Sequence, residues 1–592
     1  MALQQRILLQ CKNIYQLLAV HHSNWISEKL TSVSFFMNAI MKIIIFIILF
    51  CFGLSYFIGV SSFPWLSSSQ DFLWFLGLIL YLGVFYQKEV KLPKIILPVF
   101  LICLIPFIQF IFGQVYFLST AFFSFCFVFG FLVSLFYGYN SHHLADKNKI
   151  IQYIAYFFTL IGLISSLFAI AQWLQISHPY ILNLSHNRPY ANLGQPNHLA
   201  TLLMMSICSV VFLYERHGYK WFLCVPLLVL DTYALALTQS RTTWVIIIIL
   251  LTVYVFKKIN FQRASTAKII FLSLALYVFL FIFNAEIAEY LKLVAPIPLE
   301  DRINGGFARI EMWKHMYYAI MQHPWFGYGW FQTTIAQFEG VLLFKNEGNL
   351  SSAHNIMIDL ILWVGIPFGI LLIFYSLYLI KVIICNIKTT DELYVFIMML
   401  CILVHAQLEY PLYYSYFLFP LGFFVGVLLI NCNVNTISIN EKLKQVTFLF
   451  SIIFYALIFQ QYDQWLTNLG YASGMENTGQ SQNKQSVIFS QFADRAEFIV
   501  AKVDKQYAED KLDSFEHYVV SQPSYYNLFK MAQIFYFNQD WVKANYYFEV
   551  SNALYNKKTL FKDLSKIDTH QSNNIASLFL KKHDDLSAPN MK

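Results

Sequence analysis

Residues 117–137 read FLSTAFFSFCFVFGFLVSLFY, an apolar stretch without one charged side chain. A helix needs about 20 such residues to cross the hydrocarbon core of a bilayer. Similar stretches recur along the chain, of whose 592 residues 58% are hydrophobic and only 12% are charged. Soluble globular proteins have roughly 25% charged residues. The sequence therefore predicts an all-α polytopic membrane protein and excludes a soluble multidomain, a disordered or a disulfide-rich secreted protein.

About thirteen apolar stretches predict membrane-spanning helices. They lie at residues 43–60, 72–86, 95–112, 116–137, 151–174, 198–214, 221–238, 243–256, 269–284, 355–380, 393–408, 412–430 and 446–461.

Lys and Arg residues are concentrated in every second connection between these stretches. The short connections near 61–71, 113–115 and 409–411 contain neither residue. Because cytoplasmic loops are enriched in Lys and Arg, we expect a cytoplasmic N-terminal segment, 1–42, and an outside location for 175–197, for a long loop at 285–354 and for 465–592. The connections predicted to be cytoplasmic hold Lys88, Lys91, Lys94, Lys147, Lys149, Arg216, Lys220, Lys257, Lys258, Arg263, Lys268, Lys381, Lys388, Lys442 and Lys444.

The composition changes after residue 464, which divides the chain into a membrane region, 43–464, a polar linker, 465–484, and a C-terminal helical domain, 485–592. Helical patterns occur near 485–520, 523–537 and 540–555. Residues 525–556 resemble one tetratricopeptide-like helical pair, although a generic helical hairpin accounts for the pattern equally well. The packing positions of that pair are Ala532, Phe535, Ala544, Phe548 and Ser551.

Three arginines in regions predicted to be outside stand in apolar or conspicuous settings and depart from the charge pattern: Arg188, Arg241 and Arg309. Arg241 stands in the minimal turn TQSRTTW, residues 238–244, between two spans. A charge at membrane depth is costly and indicates function, although an arginine that reaches a lipid headgroup is the alternative. Arg309 belongs to FARIEMW, residues 307–313. This segment begins an amphipathic helix, predicted to lie in the membrane interface, with Ile310, Trp313, Tyr317 and Ile320 on one stripe.

Polar side chains at the same predicted face suggest a site. His354 lies in SSAHN, residues 351–355, at a helix start that offers free N–H groups, where a cap or structural residue is the alternative. Residues 187–198, NRPYANLGQPNH, bring Gln195, Asn197 and His198 to the start of another span. Residues 407–413, QLEYPLY, place Glu409 and Tyr410 in a short outside turn, where Glu409 could pair with an arginine.

Fixed cations beside a histidine favour an anionic ligand, and guanidinium groups bind phosphate through two oxygens at once. At a membrane face that ligand is expected to be a lipid-linked diphosphate, whose developing charge the arginines would stabilise as it leaves. An imidazole could take the proton of an acceptor hydroxyl.

The nine cysteines form no CxxC pair, and no DxD or HExxH motif stands in the outside loops, so we expect no metal and no cofactor. The net charge of +7 is dispersed, and no nucleic acid is expected.

The segment NRPYANLGQPNHLA, residues 187–200, closely resembles the signature of the PglL-type bacterial protein O-oligosaccharyltransferases, which share a superfamily with O-antigen ligases (WaaL) and Wzy polymerases. The segments QSRTTW, ARIEMW, HPWFGYG and AHNIM follow in the order of that superfamily. The similarity covers roughly residues 180–430, and the C-terminal domain resembles the one that often follows in protein ligases.

The resemblance implies a glycosyltransferase of the GT-C type in the inner membrane of a Gram-negative bacterium. Its donor would be an undecaprenyl-diphosphate-linked oligosaccharide, and its acceptor a Ser or Thr of a periplasmic or pilin protein. His354 would be the base, Arg241 and Arg309 would hold the diphosphate, and Arg188 is a further expected donor ligand. Gln195, Asn197, His198, Glu409 and Tyr410 would contact substrate. An O-antigen ligase or polymerase would use the same chemistry, and a lipid-linked glycan transporter is a further alternative.

Overall fold

The computed structural model describes residues 42–59, 65, 67–84, 90–143, 146–184, 187–257, 262–293, 299–344, 349–472, 490–557 and 559–566. The predictions for residues 1–41, for most of the linker and for the C-terminal end lie outside these residues. The described part is mostly helical. Its helices are α1 (Lys42–Leu54), α2 (Ser68–Val84), α3 (Leu97–Ile111), α4 (Leu118–Asn140), α5 (Lys147–Trp173), α6 (Pro196–His217), α7 (Trp221–Thr238), α8 (Arg241–Phe256), α9 (Ala264–Tyr290), α10 (Leu299–Gln322), α11 (Thr333–Phe338), α12 (Ile356–Asn386), α13 (Thr390–His405), α14 (Ser415–Leu429), α15 (Glu441–Ala472), α16 (Ser490–Val500), α17 (Glu509–Ser521), α18 (Tyr525–Phe537) and α19 (Trp541–Tyr555).

Every predicted span coincides with a helix, namely α1 to α9 and α12 to α15. Among the described residues, eight helices are long and apolar enough to cross a membrane, and α1, α8 and α14 are shorter apolar helices. The chain is therefore a multi-pass membrane protein. The total of about thirteen spans stays a prediction.

The core of the bundle depends on close contact between α4 and α14. Gly426 of α14 faces the backbone of α4, where an added Cβ would lie 2.1 Å from the carbonyl oxygen of Leu135. Gly138 of α4 is equally close to Phe423. Small residues allow such backbone approach between membrane helices, where packing rather than hydrophobic burial drives association.

One end of the bundle collects the lysine-rich connections, and we call it the lysine end (described residues 91–93, 141–143, 146–147, 217–220, 262–263, 387–392 and 430–440). Strand β1 (Lys91–Pro93) pairs antiparallel with strand β2 (Thr436–Ser438) there. Lys147 bonds Glu392 at 2.5 Å, and Arg216 bonds Asp391 at 2.6 Å. Connections far apart in sequence thus lie on one side, as the charge pattern predicted.

The opposite end, which we call the arginine end, consists of the connections 175–195, 239–240, 323–355 and 406–414. Helices α10 and α11 lie within the long loop, and residues 323–330 pack against α12. Helix α12 is interrupted at Gly365, whose φ of 82° and ψ of 170° are not helical. The backbone of the loop enters this break, because Tyr328 N–H donates to Leu362 O at 2.7 Å and Ile366 N–H donates to Pro324 O at 2.7 Å.

The amphipathic helix predicted around Arg309 is α10, but its stripe divides differently from the prediction. Met312, Met316 and Ala319 form its buried face. Of the predicted stripe, Trp313 and Ile320 pack partly against this face, whereas Ile310 and Tyr317 are exposed. The buried face is turned toward α11 and α12, because α10 contacts both of these helices.

The C-terminal helices pack together on the arginine end. Tyr116 and Phe117, which precede α4, and Phe338 and Val341 of the long loop belong to the same apolar cluster as α16 to α19. The helical pattern predicted near 485–520 corresponds to two helices, because α16 ends at Val500 and α17 begins at Glu509. The chain between these two helices is held by a residue that follows α18, since Tyr507 N–H donates to Asn538 Oδ1 at 2.9 Å. Helices α18 and α19 form the predicted hairpin, and its identity as a tetratricopeptide-like repeat stays a prediction.

Candidate active site

A buried carboxylate, that of Glu409, is the centre of the polar network at the arginine end. Glu409 follows α13 in a tight turn, where its N–H donates to His405 O at 2.9 Å. Only 3% of the residue is exposed. Its Oε1 accepts bonds from Arg309 and, at 2.9 Å, from Asn197. Its Oε2 lies 2.7 Å from His354 Nδ1 and 3.3 Å from Gln195 Nε2. Four residues that the sequence singled out therefore meet at the carboxylate of a fifth, Glu409.

The start of α6 holds Gln195 and Asn197 toward this carboxylate. Gln195 is the N-cap residue, and Pro196 fixes the first turn. Asn197 is oriented from the other side, because its Oδ1 accepts from Arg188 Nη2 at 3.1 Å and from Ser240 Oγ at 2.8 Å. Its Nδ2 must then be the atom that donates to Glu409.

Arg188 ties two connections together. Its Nε donates to Thr238 O at 2.7 Å, at the end of α7, while its other bond reaches Asn197. This arginine, predicted as a ligand of the donor, is thus engaged in holding the α7–α8 turn against the start of α6.

The loop before α12 positions His354, which has a left-handed φ of 52°. Its N–H donates to Ser352 Oγ at 3.0 Å, and Ser352 in turn donates to the buried Asp359 at 2.7 Å. Asn355 caps α12 by accepting from Met357 N–H at 2.9 Å. The strained backbone of His354 is therefore fixed on both sides by polar side chains.

The bond to Glu409 decides which nitrogen of His354 is available for chemistry. A carboxylate only accepts, so Nδ1 must carry the proton of this bond and Nε2 keeps the lone pair. The ring of Tyr410 meets the imidazole edge-on, with 5.1 Å between centroids. Burial raises the pKa of Tyr410 to about 12, which keeps its hydroxyl neutral and able to donate.

Glu409 remains ionised despite its burial. Burial opposes the charge, but the hydrogen bond from His354 and the positive charge of Arg309 outweigh it. The pKa of Glu409 therefore lies below its ordinary value of 4.5. A buried anion paired in this way is strongly anchored, because removing a partner would leave it uncompensated.

Arg241 is the first residue of α8 and is exposed. It is near enough to Arg309 and Glu409 for their charges to act on its guanidinium. The positive N-terminal ends of α6, α8 and α12 surround this region, and such ends favour bound anions. The arrangement suits a ligand with two or more negative charges.

His198 differs from the other predicted site residues because it is 0% exposed. Its Nδ1 lies 2.8 Å from Tyr416 Oη, and rings of Tyr410, Tyr414 and Phe417 contact it edge-on. In this structure His198 is enclosed by these aromatic rings beside the Glu409 network, and its role as a substrate contact stays a prediction.

Two site residues were missed by the sequence reasoning. Ser240 stands directly before Arg241, but a serine in a turn does not by itself indicate a functional site. Asp359 lies inside a predicted span, and a single acidic residue within a membrane-spanning stretch is the feature that could have indicated it. It accepts from Thr333 Oγ1, Ser352 Oγ and Ala353 N–H at 2.7–2.9 Å. Within the described ranges no group of three or more His, Cys, Asp or Glu residues is placed to hold a metal ion.

Three known families match parts of the chain. Residues 189–214 match a family described as protein glycosylation ligase, residues 226–374 match one described as O-antigen ligase, and residues 393–563 match one described as virulence factor membrane-bound polymerase, C-terminal. Together these segments include every residue of the Glu409 network except Arg188.

Two curated proteins of Acinetobacter baylyi are similar over most of their length. A general O-oligosaccharyltransferase is 29% identical over 520 residues, which are 85% of this chain and 91% of the relative. A ComP-specific O-oligosaccharyltransferase is 32% identical over 383 residues, which are 63% of this chain and 69% of the relative. No solved structure matches the chain.

Proposed function

Since the chain belongs to the O-oligosaccharyltransferase family and is a membrane-bound glycosyltransferase, we propose that it moves a whole glycan from a lipid diphosphate to a protein hydroxyl. The acceptor is a Ser or Thr side chain of a periplasmic or pilin protein. The observation that carries this proposal is the contact of 2.7 Å between His354 Nδ1 and Glu409, which leaves Nε2 as a base beside two arginines.

The transfer is a substitution at the anomeric carbon of the first sugar. The acceptor oxygen forms the new bond to that carbon as the bond to the diphosphate oxygen breaks. His354 Nε2 takes the proton of the hydroxyl, and Glu409 stabilises the resulting imidazolium. Undecaprenyl diphosphate leaves with the electron pair of the broken bond.

The leaving diphosphate gains negative charge, and Arg241 and Arg309 stand where that charge would be stabilised. Guanidinium groups suit this task because their planar fork pairs with two phosphate oxygens. The surrounding helix ends add fixed partial positive charge that needs no rearrangement during the reaction. In this proposal charge stabilisation by arginine is sufficient for the step.

Two features support a protein acceptor on the periplasmic side. The C-terminal helices pack on the arginine end, next to the loops that carry the site, where they could orient a polypeptide. The lysine-rich connections gather at the other end, and this end faces the cytoplasm in most membrane proteins. We accordingly place the enzyme in the inner membrane with its site toward the periplasm.

Replacement of His354 by Ala tests the proposal. We expect protein glycosylation in cells to fall at least about 100-fold, since a general base contributes on the order of 10² to 10⁴. Mass spectrometry of periplasmic proteins measures it, after immunoblotting has shown normal membrane levels. His178→Ala, an exposed histidine of the same end, is the matched control and should leave glycosylation unchanged. Full glycosylation in His354→Ala would remove His354 from the mechanism.

The family match to O-antigen ligases keeps one other acceptor under test. Lipopolysaccharide is therefore analysed in the same strains. If His354→Ala removes glycan from the lipid A core while glycoproteins stay unchanged, the acceptor is the core sugar and the proposed protein acceptor is wrong.

A further inference from the structure

The two oxygens of Glu409 serve two different halves of the site. Oε1 accepts from Arg309 and Asn197, while Oε2 faces His354 and Gln195. One carboxylate therefore joins a cation of the donor half to the base of the acceptor half. A separate carboxylate for each partner would leave the two halves independent, and this arrangement couples them.

Two anions, Glu409 and the donor diphosphate, compete for the guanidinium of Arg309. In the structure it forms an ion pair with Glu409. The proposed reaction, on which this inference rests, asks the same group to bind the donor diphosphate. Both ligands are anions that accept from the N–H groups in the plane of the guanidinium, so a bound diphosphate competes with Glu409 for the positive charge of Arg309.

We propose that Glu409 is a positioning residue that exchanges partners during the reaction: donor diphosphate draws Arg309 away, and His354 becomes the cationic partner of Glu409. Donor binding thereby prepares the base. The enzyme binds the lipid-linked glycan first and activates the acceptor hydroxyl second.

Glu409 stays in place when Arg309 moves, because other groups hold it. Asn197 donates to Oε1 at 2.9 Å and is itself fixed by Arg188 and Ser240. Gln195 donates to Oε2. These donors are neutral amides, so they preserve the position of the carboxylate without replacing the positive charge that Arg309 supplied.

The lost charge is then recovered at His354. An enclosed carboxylate is costly without a positive partner, and only 4% of the Glu409 side chain is exposed. His354 lies 2.7 Å away and becomes positive when it takes the proton of the acceptor. Removal of Arg309 therefore favours the protonated imidazole, which is the product of the base step.

Binding of inorganic pyrophosphate to the full-length enzyme in nanodiscs tests the first half of the exchange. Glu409→Gln keeps the shape but removes the competing charge. We expect it to bind pyrophosphate on the order of tenfold more tightly, as removal of one charged hydrogen bond predicts. Glu339→Gln, a partly exposed carboxylate of the same end, is the control and should bind like the unchanged enzyme. Weaker or unchanged binding by Glu409→Gln would overturn the exchange.

Steady-state transfer tests the second half. The donor is an undecaprenyl-diphosphate-linked disaccharide, and the acceptor is periplasmic protein from a strain that lacks the enzyme. Glu409→Gln should lower the donor KM and reduce kcat by about tenfold or more, because the base loses its anionic partner. A residue that simply binds substrate would raise KM, and a residue needed only for folding would leave KM unchanged, so either result contradicts the proposal.

Two further measurements keep the outcome decisive. Should Glu409→Gln fail to fold, Glu409→Asp, which keeps the charge but is too short to span both partners, is expected to move pyrophosphate affinity and kcat in the same directions. His354→Ala is assayed in parallel: if it transfers glycan normally, the proposed function has failed, whereas loss of transfer there with no change in Glu409→Gln refutes the exchange alone.

Discussion

At the scale of single residues, the two arginines of the donor half are held in different ways. Arg309 is bound to Glu409 and its side chain is 26% exposed. Arg241 is exposed and is the first residue of α8. Arg309 is therefore held by the protein before any ligand binds, and we expect Arg241 to make the closing contact with the diphosphate in the proposed reaction.

Arg241→Lys tests whether this closing contact uses two hydrogen bonds. Lysine keeps the charge but loses the planar fork, so we expect the donor KM to rise about tenfold, corresponding to loss of one charge-assisted bond. Transfer kinetics in nanodiscs measure it. Arg263→Lys, at the lysine end where Arg263 donates to Tyr219 O, is the matched control. Unchanged KM in Arg241→Lys would argue against bidentate binding.

The residues of the candidate site could be predicted from sequence, but the hydrogen bonds between them could not. Arginines in loops that should lack them, and a polar segment at the start of a span, indicated Gln195, Arg309, His354 and Glu409. Nothing in their spacing shows that one carboxylate takes four partners, since Gln195 and Glu409 are 214 positions apart. The enclosure of His198 was also hidden, because burial depends on the aromatic residues of α14 and its preceding turn.

At the scale of elements, the break in α12 determines how the long loop meets the bundle. Residues 323–329 enter the helix at Gly365 and replace its internal hydrogen bonds with bonds to the loop. The same helix begins two residues after His354 and contains Asp359, which holds the His354 loop. The position of the proposed base therefore depends on a helix that is interrupted at Gly365.

Gly365→Ala should disturb this junction strongly. An added Cβ would lie 2.3 Å from Trp325 O, and the positive φ of 82° adds strain. We expect a loss of about 3 kcal/mol or more in stability, in the range of severe packing and backbone defects, together with reduced transfer. Thermal unfolding in detergent measures the first effect.

Gly113→Ala is the control for backbone strain alone. Gly113 has a φ of 74° but no atom within 4 Å of the added Cβ, so about 1–2 kcal/mol is expected from the left-handed conformation. If both variants unfold alike, the close approach of the loop to Gly365 does not matter for stability.

The break itself could not be predicted from the pattern of apolar residues. Residues 355–380 form one continuous apolar stretch, and Gly365 and Pro367 within it are ordinary in membrane helices. The interruption depends on the loop at 323–329, whose backbone groups supply the bonds that the helix lacks. Likewise, the gap between α16 and α17 depends on Asn538, a partner that local sequence cannot reveal.

At the scale of the whole molecule, the two ends of the bundle have different chemistry. The lysine end is closed by a short β-ladder and by ion pairs with buried acids. The arginine end carries the Glu409 network and the packed C-terminal helices. The alternation of Lys and Arg along the sequence predicted this division, because it reports on sidedness independently of helix packing.

Reporter fusions test which end faces the periplasm. A fusion after residue 388, at the lysine end, should report the cytoplasm. A fusion after residue 470, near the end of α15, should report the periplasm. Alkaline phosphatase and green fluorescent protein, which are active on opposite sides, measure each position. The reverse pattern at both positions would invert the protein and move the proposed site to the cytoplasm.

The distance in sequence between Glu409 and its partners has a consequence for biosynthesis. Arg188, Gln195, Asn197, Arg309 and His354 all leave the ribosome before Glu409 does. A nascent chain can therefore insert its cations and its imidazole while the carboxylate that joins them is still untranslated. The proposed catalytic centre can assemble only after the turn that follows α13 has been made, so a chain arrested earlier in synthesis carries an incomplete site.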